Sequence, residues 1–413
     1  MSFLAHADGY STARAKLVEA YQAGDYSAMR RAARASLEAR PDYPGAIFNQ
    51  ALAETLDGDA GAALASLERL TALEVDLGVD ANEAFAPLHE LEGWPSLLEH
   101  IAVLRQPVGT AERAWQLDEA AFIPEGIAVS GETLYLGSIR DGRIVRVDDT
   151  APTLLRSPGS APGGSIYGMR LEGESLWFLA TRTDQYRGNY HGKRDALKKG
   201  STLCELRLSN NYPDAASIGC HPLPIEPDRW QTLGDLILTD EFIYAADQTD
   251  GPVYSFDRSS QQWSTVVERG EFVSPQGLVP DASGENLYVA DYRGGIYRVR
   301  LDGYAAPERL ESEASLYGID GLYRYGDWLI AVQNGITPHR VSAHRLDDDG
   351  LTVVESRVLL MNHPDFDEPN LGQVVGDDFY VVANSHWNRF DRENNLPEGL
   401  SGPIILKIRL PSD

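Results

Sequence analysis

Residues 274–299, SPQGLVPDASGENLYVADYRGGIYRV, carry the phrase that decides the fold of this chain. The phrase begins with Pro-x-Gly and continues with a short apolar run, a polar turn, a second apolar run, a Gly-Gly turn and a third run. Short runs of alternating apolar and polar residues are typical of β-strands, and Gly-rich pairs between them are typical of tight turns. The phrase therefore predicts consecutive antiparallel strands.

Copies of this phrase recur along the chain after residue 107. They begin at six positions, Gly126, Gly168, Asp235, Gly277, Gly321 and Gly372. Units of several short strands that repeat every 40 to 65 residues or so, roughly one blade per copy, are typical of β-propellers. We therefore predict an all-β six-bladed β-propeller over residues 108–413.

The ring of a propeller has to close, because an open sheet edge exposes unpaired backbone groups. The run AWQLDEAAF, residues 114–122, alternates like a strand and precedes the first copy of the phrase. We predict that it pairs with the last strand, IILKIRL at residues 404–410, and so closes the ring.

Residues 1–107 have a different pattern, with apolar residues three and four positions apart, which predicts a small all-α domain. Helices are expected near residues 12–22, 27–39, 43–56, 61–73 and 94–104. Residues 43–70 place Ala46, Ala53 and Ala63 where two antiparallel helices would touch, and the segment resembles a tetratricopeptide repeat. The domain is expected to act either as a helical cap or self-association element, or as a docking surface for a protein partner.

The chain is strongly acidic, with 62 Asp and Glu against 36 Lys and Arg and a net charge of -26. This charge argues against a nucleic-acid partner, since the protein would repel a polyanion. No apolar run is long enough for a membrane helix and the first residues do not resemble a signal peptide, so we expect a cytoplasmic protein without membrane contact. Cys204 and Cys220 are expected to be buried free thiols, with pairing across neighbouring strands as the alternative.

The first strand of each blade lines the central channel of a propeller, so the residue before each copy's Gly should lie on one ring at the channel mouth. This ring comprises Glu125, Tyr167, Gly234, Gln276, Asp320 and Leu371, with Asp235 in the Gly position of the third copy and Gln373 as an alternative in the sixth. Converging carboxylates repel each other unless a positive charge lies between them. Their oxygens suit Ca²⁺, Mg²⁺ or Mn²⁺, whereas zinc is less natural because the ring has no His or Cys.

The phrases PEGIAV, PQGLVPDASGENLYVADYRGGIYRVRLDG and GIDGL resemble the senescence marker protein 30, gluconolactonase and luciferin-regenerating enzyme family, over residues 115 to 410. That family is similar in turn to strictosidine synthase and paraoxonase propellers. The resemblance implies one divalent cation, with Ca²⁺ favoured over Mg²⁺, Mn²⁺ or Zn²⁺, held by Glu125, Gln276 and Asp320. The chain departs from the family at Gln276 and at Gly234, where the family has Asn.

The resemblance also implies a metal-dependent hydrolase of the lactonase or esterase type, with Asp320 as the base. Asp235 is the alternative base that the sequence itself suggests. A divalent ion would polarise an ester carbonyl and acidify a bound water, and a carboxylate would take the proton.

Two long loops, residues 181–200 and 384–402, are expected to cover the channel mouth, because long loops in compact domains are usually lids or binding elements. Residues 181–200 contain six Lys or Arg against two Asp, which favours an anionic substrate, although such a loop could also simply be solvated. The predicted substrate contacts are Tyr167, Arg182, Arg187, His191, Asn334, Asn384, His386, Trp387 and Arg389.

Other catalytic motifs are missing, among them G-x-S-x-G, the phosphate loop, H-E-x-x-H and C-x-x-C. Two classes of function therefore remain. One is the metal-dependent hydrolase of a small molecule, with a metal-independent condensing enzyme like strictosidine synthase as a minor branch. The other is a non-catalytic propeller and helical module for ligand or protein recognition.

Overall fold

The computed structural model describes residues 4–148, 152–187, 200–208, 218–226, 229–249, 251–303 and 305–411. Its helical region contains five α-helices in these ranges: Leu4–Ala23, Tyr26–Ala39, Pro44–Leu56, Ala60–Ala72 and Trp94–Leu104. Asp25 and Asp59 precede the second and fourth helices, and their side chains accept the backbone N–H groups of Ala28 and Ala62 as N-caps. Five helices were predicted, and the first of them begins eight residues earlier than the sequence pattern indicated, at Leu4 rather than near residue 12.

Six antiparallel sheets of four strands each form the blades of a propeller, which confirms the predicted fold class. The first three blades contain Pro124–Ser130, Thr133–Ser138, Ile144–Val147 and Thr153–Arg156; Ser165–Glu172, Ser175–Thr181, Ser201–Arg207 and Ile218–Pro222; and Leu233–Leu238, Phe242–Asp247, Val253–Asp257 and Gln262–Val267. The last three contain Pro275–Pro280, Asn286–Asp291, Gly295–Arg300 and Glu308–Arg309; Ile319–Tyr325, Trp328–Gln333, Arg340–Leu346 and Val353–Met361; and Gly372–Val375, Asp378–Val382, Ile404–Arg409 and Glu112–Gln116.

The sixth blade takes its outer strand from the opposite end of the propeller sequence. Glu112–Gln116 pairs antiparallel with Ile404–Arg409. The pairing ends earlier than the predicted run 114–122. Its last hydrogen bond joins the N–H of Leu117 to the carbonyl of Pro403 at 2.9 Å. The chain then turns, and the N–H of Phe122 donates to the carbonyl of Glu119 at 3.0 Å. The division of the chain at residue 107 stays a prediction.

The first strands of blades one to five share an irregularity at the repeated phrase. Their pairing shifts register at Pro124/Ile127, Ile166/Met169, Leu233/Asp235, Pro275/Leu278 and Ile319/Gly321. A β-bulge of this kind bends the strand and re-aims a side chain. The bulges therefore lie where the sequence placed the ring residues, while blade six has no shift and pairs Gly372 directly with Val381.

Cys204 and Cys220 form a disulfide, so the expectation of free thiols was wrong. The two residues are direct partners in the register between the third and fourth strands of blade two. An antiparallel pairing brings directly opposed side chains within bonding distance, which the spacing of the two cysteines along the chain does not reveal. In the part of the chain that the structure describes, no helix has the length and apolar character needed to cross a membrane.

A candidate site at the channel mouth

A pocket of about 550 Å³ opens at the channel mouth, where the first strands of the blades begin. Four of the six ring residues line it: Glu125, Tyr167, Gln276 and Asp320. Three more of the predicted contacts also line it, namely Arg182, Asn334 and Trp387. The repeated phrase thus brings together side chains that are distant in sequence.

Glu125 is the most firmly held carboxylate of the pocket, with 3% of its surface exposed. One oxygen, Oε2, accepts the indole N–H of Trp387 at 2.5 Å and the side-chain N–H of Asn370 at 2.7 Å. Burial and then the negative charge of Asp320 raise the pKa of Glu125 well above its usual range, against the lowering effect of these two donors. Glu125 is therefore fixed in position and costly to ionise.

Asp320 has a different setting, because only one of its oxygens is engaged by the described residues. Oδ2 accepts the side-chain N–H of Asn334 at 2.7 Å, and the oxygen of the same Asn334 amide accepts the hydroxyl of Tyr292 at 2.9 Å. Burial raises the pKa of Asp320 to about 7, the bond from Asn334 opposes this, and the charge of Glu368 adds to it. A carboxyl with such a pKa exchanges its proton near neutral pH.

Glu368 is a third carboxylate of the pocket, and the sequence did not single it out. Its backbone has a positive φ of 62°, and Oε2 accepts the backbone N–H of Asn388 at 2.5 Å. Burial raises the pKa of Glu368, and its charge in turn raises the pKa values of Glu125 and Asp320. Glu368 precedes the sixth copy of the phrase instead of lying within it, so the repeat gave no signal for it.

Gln248 is a second lining residue that the sequence missed, and it compensates for Gly234. A Cβ on Gly234 would lie 2.7 Å from the Cγ of Gln248 and closer still to its amide, so the Gln248 side chain fills this place on the ring. The Gln248 amide N–H donates to Oε1 of Gln276, and the amide N–H of Gln276 donates to Ser274 Oγ at 3.1 Å. The oxygen predicted to bind a cation thus already accepts a hydrogen bond.

Other ring residues face away from the pocket. Asp235 is 1% exposed and forms an ion pair with Arg170 at 2.9 Å, so it is not placed to act as the alternative base. Leu371 packs in the apolar core between blades six and one. Gln373 accepts the N–H of Val129 at 2.8 Å and donates to its carbonyl at 3.0 Å, so it joins blade six to blade one instead of entering the ring.

The loop at 384–402 is held together by several of its predicted substrate contacts. Asn384 accepts the N–H of Ile404 at 2.7 Å and donates to the carbonyl of Gly402 at 2.9 Å, which fixes the base of the loop. His386 and Arg389 both bond to Asp367, at 2.7 Å and 3.0 Å. These contacts hold the loop so that Trp387 enters the pocket, while the other three side chains lie outside its lining.

Arg187 also supports the loop, since its guanidinium donates to the carbonyls of Glu393 and Asn394 at 3.0 Å and 2.9 Å. His191 and most of the basic segment lie outside the described residues. Among the lining residues that are described, four carboxylates face one guanidinium: Glu125, Asp184, Asp320 and Glu368 against Arg182. This charge favours a neutral or cationic ligand over a bare anion.

The described residues contain no group of three or more His, Cys, Asp or Glu side chains arranged to hold a metal ion. A cation at the mouth would therefore depend on two carboxylates together with neutral oxygens. None of the ion pairs among the described residues involves Glu125 or Asp320, although both are negatively charged when ionised. Two carboxylates of one pocket that pair with no described Lys or Arg provide oxygen ligands of the kind that divalent ions such as Ca²⁺ prefer.

No protein-family model matches this chain, and no curated protein matches it either. Solved structures do match. Luciferin-regenerating enzyme is 10% identical with a TM-score of 0.50, over 74% of this chain and 95% of the other. A proposed oxidoreductase (glucose dehydrogenase) from Thermus thermophilus is 12% identical with a TM-score of 0.46, over 72% of this chain and 100% of the other. The WD40 propeller domain of Doa1 is 10% identical with a TM-score of 0.46, over 73% and 97%. The likeness to luciferin-regenerating enzyme shows that the two proteins share a propeller fold, and it says nothing about the activity of this chain.

Proposed function

We propose that the channel-mouth pocket hydrolyses a small ester or lactone with the help of a divalent cation. The observation that carries the proposal is the pair Glu125 and Asp320, a buried and a partly buried carboxylate in one pocket whose charges no described basic residue neutralises. The acidic lining favours a neutral substrate over the anionic one that the basic loop suggested. The sequence resemblance to the lactonase family points to the same chemistry.

Glu125 and Asp320 would hold the cation, and Gln276 would join them by giving up its hydrogen bond from Gln248. When bound, the cation supplies Lewis acidity toward the ester carbonyl and toward water. Hydrogen bonds from Trp387 and Asn370 position the Glu125 carboxylate, and the positive charge of the cation would offset the cost of ionising it. Asp320 is the candidate base, since its Oδ1 accepts no hydrogen bond from the described residues and stays available to the proton of a water molecule.

Metal analysis and a substrate panel test this proposal. Purified protein is equilibrated with Ca²⁺, Mg²⁺, Mn²⁺ or Zn²⁺ and analysed for bound metal, and a panel of lactones and esters is assayed with and without chelator. Glu125→Gln and Asp320→Asn should lose the metal and reduce turnover by about 100-fold or more. The matched controls, Glu132→Gln and Asp327→Asn, make the same chemical changes in exposed turns of the same two blades and should leave both readouts unchanged.

The results separate the two classes of function. Metal-dependent turnover that both site variants abolish supports the hydrolase. Protein that retains none of the four metals and hydrolyses nothing in the panel overturns it. Ligand binding at the pocket without any turnover would instead favour a recognition module.

A further inference from the structure

Three loops at the channel mouth meet on one wall of the pocket. With the strand ends that flank them they comprise residues 291–295, 315–320 and 333–340, and each contributes one member of a chain of hydrogen-bonded side chains. Tyr292 donates to Asn334 at 2.9 Å, and Asn334 donates to Asp320 at 2.7 Å. All three of these residues line the pocket.

The helical region contacts each of these loops close to its pocket residue. In the first loop, the guanidinium of Arg40 donates to the carbonyl of Arg293 at 3.0 Å, one residue after Tyr292. In the second loop, Tyr317 is 2% exposed and its ring lies 5.2 Å from that of Tyr43. Tyr317 lies three residues before Asp320 and belongs to the apolar core of the helical region.

The third loop is held most strongly. Ile336, two residues after Asn334, is 5% exposed and is buried in the same helical core. The next residue, Thr337, accepts the backbone N–H of Asp76 at 2.7 Å. Arg340 then forms an ion pair with Glu74 at 3.1 Å. Apolar burial, a backbone hydrogen bond and an ion pair therefore fix one loop to the helical region.

The three loops are also joined to one another through their backbones. Gly318 donates to the carbonyl of Tyr292 at 2.9 Å, and Gly335 donates to the carbonyl of Gly318 at 3.1 Å. A Cβ on Gly335 would lie 2.6 Å from the Cα of Gly318, so these loops pack backbone against backbone. A shift of one loop would have to move the others, because such packing leaves no space for independent motion.

We propose that the helical region positions the Asp320 and Asn334 side chains of the pocket through Ile336 and Tyr317, so that it supports the active site rather than serving only as a separate adaptor. The inference rests on the proposed function where turnover is the readout. Misplacement of a reacting group by about 1 Å can cost up to about 100-fold in rate, so small shifts of these loops should be visible in kcat. Ile336 and Tyr317 are positioning residues in this account, because they act through Asp320 and Asn334.

The test compares Ile336→Ala with Ile408→Ala in the full chain. Ile408 is 2% exposed in the core between blades five and six, so both changes remove the same side chain from a buried site. Thermal unfolding is measured for both, and kcat and KM are measured well below the melting temperatures with the best substrate from the panel. Hydrogen–deuterium exchange is followed in peptides covering 291–295 and 315–322.

Ile336→Ala should lower kcat by about tenfold or more with little change in KM. The kcat of Ile336→Val should lie between those of Ile336→Ala and the wild type. The kcat of Ile408→Ala should stay within about twofold of the wild-type value. Exchange should become faster in both peptides only in the Ile336 variants. Equal losses of kcat and equal exchange in the Ile336 and Ile408 variants would overturn the inference, since only overall stability would then be involved. If Ile336→Ala does not fold, Ile336→Val and Ile408→Val are compared by the same criteria.

A wild-type protein without turnover would count against the proposed function and leave this inference to the exchange data. Faster exchange at 291–295 and 315–322 in the Ile336 variants alone would still support positioning by the helical region. Unchanged exchange there would refute it.

Discussion

Gln248 lies in the space that a side chain at residue 234 would occupy, and residue 234 is a glycine. The three atoms nearest to a Cβ built on Gly234 all belong to the Gln248 side chain. The two positions are therefore coupled sterically, although they lie on the first strand of blade three and just after its second strand.

Gly234→Ala should lower the free energy of unfolding by about 1 kcal/mol, because the added methyl group displaces the Gln248 side chain and breaks its hydrogen bond to Gln276. In a Gln248→Ala background the same change should cost less than about 0.5 kcal/mol, since the obstructing side chain is gone. Urea unfolding of the four proteins of this cycle measures the coupling. Gly219→Ala, where a Cβ meets nothing within 4 Å, is the control and should be nearly neutral. Additive costs at 234 and 248 would contradict the steric relationship.

The stability of the protein should depend on pH through Asp320. Burial raises the pKa of Asp320 to about 7 in the folded protein, whereas an Asp in an unfolded chain titrates at about pH 3.9. The folded state thus binds the Asp320 proton more tightly than the unfolded state does. The contribution of this proton to the free energy of unfolding is complete below about pH 4 and is lost as the pH rises through about 7. Asp320→Asn should be more stable than the wild type by on the order of 1 kcal/mol at about pH 8, and nearly equal to it at about pH 4.

Urea unfolding at both pH values, without added metal, checks this prediction. Asp327→Asn in the exposed turn of the same blade should show the wild-type pH dependence. A wild type that gains stability relative to Asp320→Asn as the pH rises would show that the carboxyl is stabilised in its ionised form.

Trp387 should stabilise the ionised form of Glu125. Its indole N–H donates to Glu125 at 2.5 Å, and the change Trp387→Phe removes this donor while keeping an aromatic ring beside Tyr167 and Phe390. The change should lower the free energy of unfolding by about 1.5 to 3 kcal/mol where Glu125 is ionised. Because burial raises the pKa of Glu125, the loss should shrink as the pH falls and the carboxyl becomes protonated.

The control for this prediction is Trp115→Phe on the outer strand of blade six. The Trp115 ring packs against Tyr380, and no hydrogen bond from its indole N–H is found among the described residues. Unfolding free energies measured across the pH range should therefore show a pH-dependent difference for Trp387→Phe alone. Parallel profiles for both variants would mean that the bond to Glu125 contributes nothing beyond packing.

The repeated phrase was sufficient to predict the propeller because each copy specifies strand, turn and strand by local chemistry. It also predicted that Glu125, Gln276 and Asp320 meet, since bulges at the same point of the repeat aim them at one pocket. Asp235 lies one residue after the ring position, in the Gly position of its copy, and forms an ion pair with Arg170 of the neighbouring blade. No repeat within one blade can reveal a partner supplied by the next.

Gln248 and Glu368 were missed for a related reason. Gln248 ends the third copy of the phrase and Glu368 precedes the sixth, so neither occupies the ring position of the repeat, and both reach the pocket through tertiary packing. Gln248 reaches the space beside Gly234 only in the folded chain, where the two strands pack together. The positive φ of Glu368 is set by the loop that surrounds it. The contacts of Asn384, His386 and Arg389 likewise depend on how that loop folds back on itself.

The disulfide between Cys204 and Cys220 should stabilise the second blade. It closes a segment with a sequence separation of 16, for which the loss of chain entropy in the unfolded state predicts about 3 kcal/mol. The double change of both cysteines to Ala should lower the unfolding free energy by this amount. Reductant should lower the melting temperature of the wild type but not that of the variant, and alkylation followed by mass spectrometry should detect thiols only after reduction. Thiols that react in the unreduced folded protein would contradict the pairing.

The pairing of Glu112–Gln116 with Ile404–Arg409 sets an order of events during biosynthesis. Glu112–Gln116 leaves the ribosome before any blade is made, whereas Ile404–Arg409 leaves it after every other strand. The backbone groups of Glu112–Gln116 therefore stay unpaired while five blades are made. Exposed strand edges of this kind are templates for aggregation, and pairings between distant segments form slowly. A nascent chain that stalls before residue 404 would therefore present an unclosed ring to the cell, with two edges free to pair with other chains.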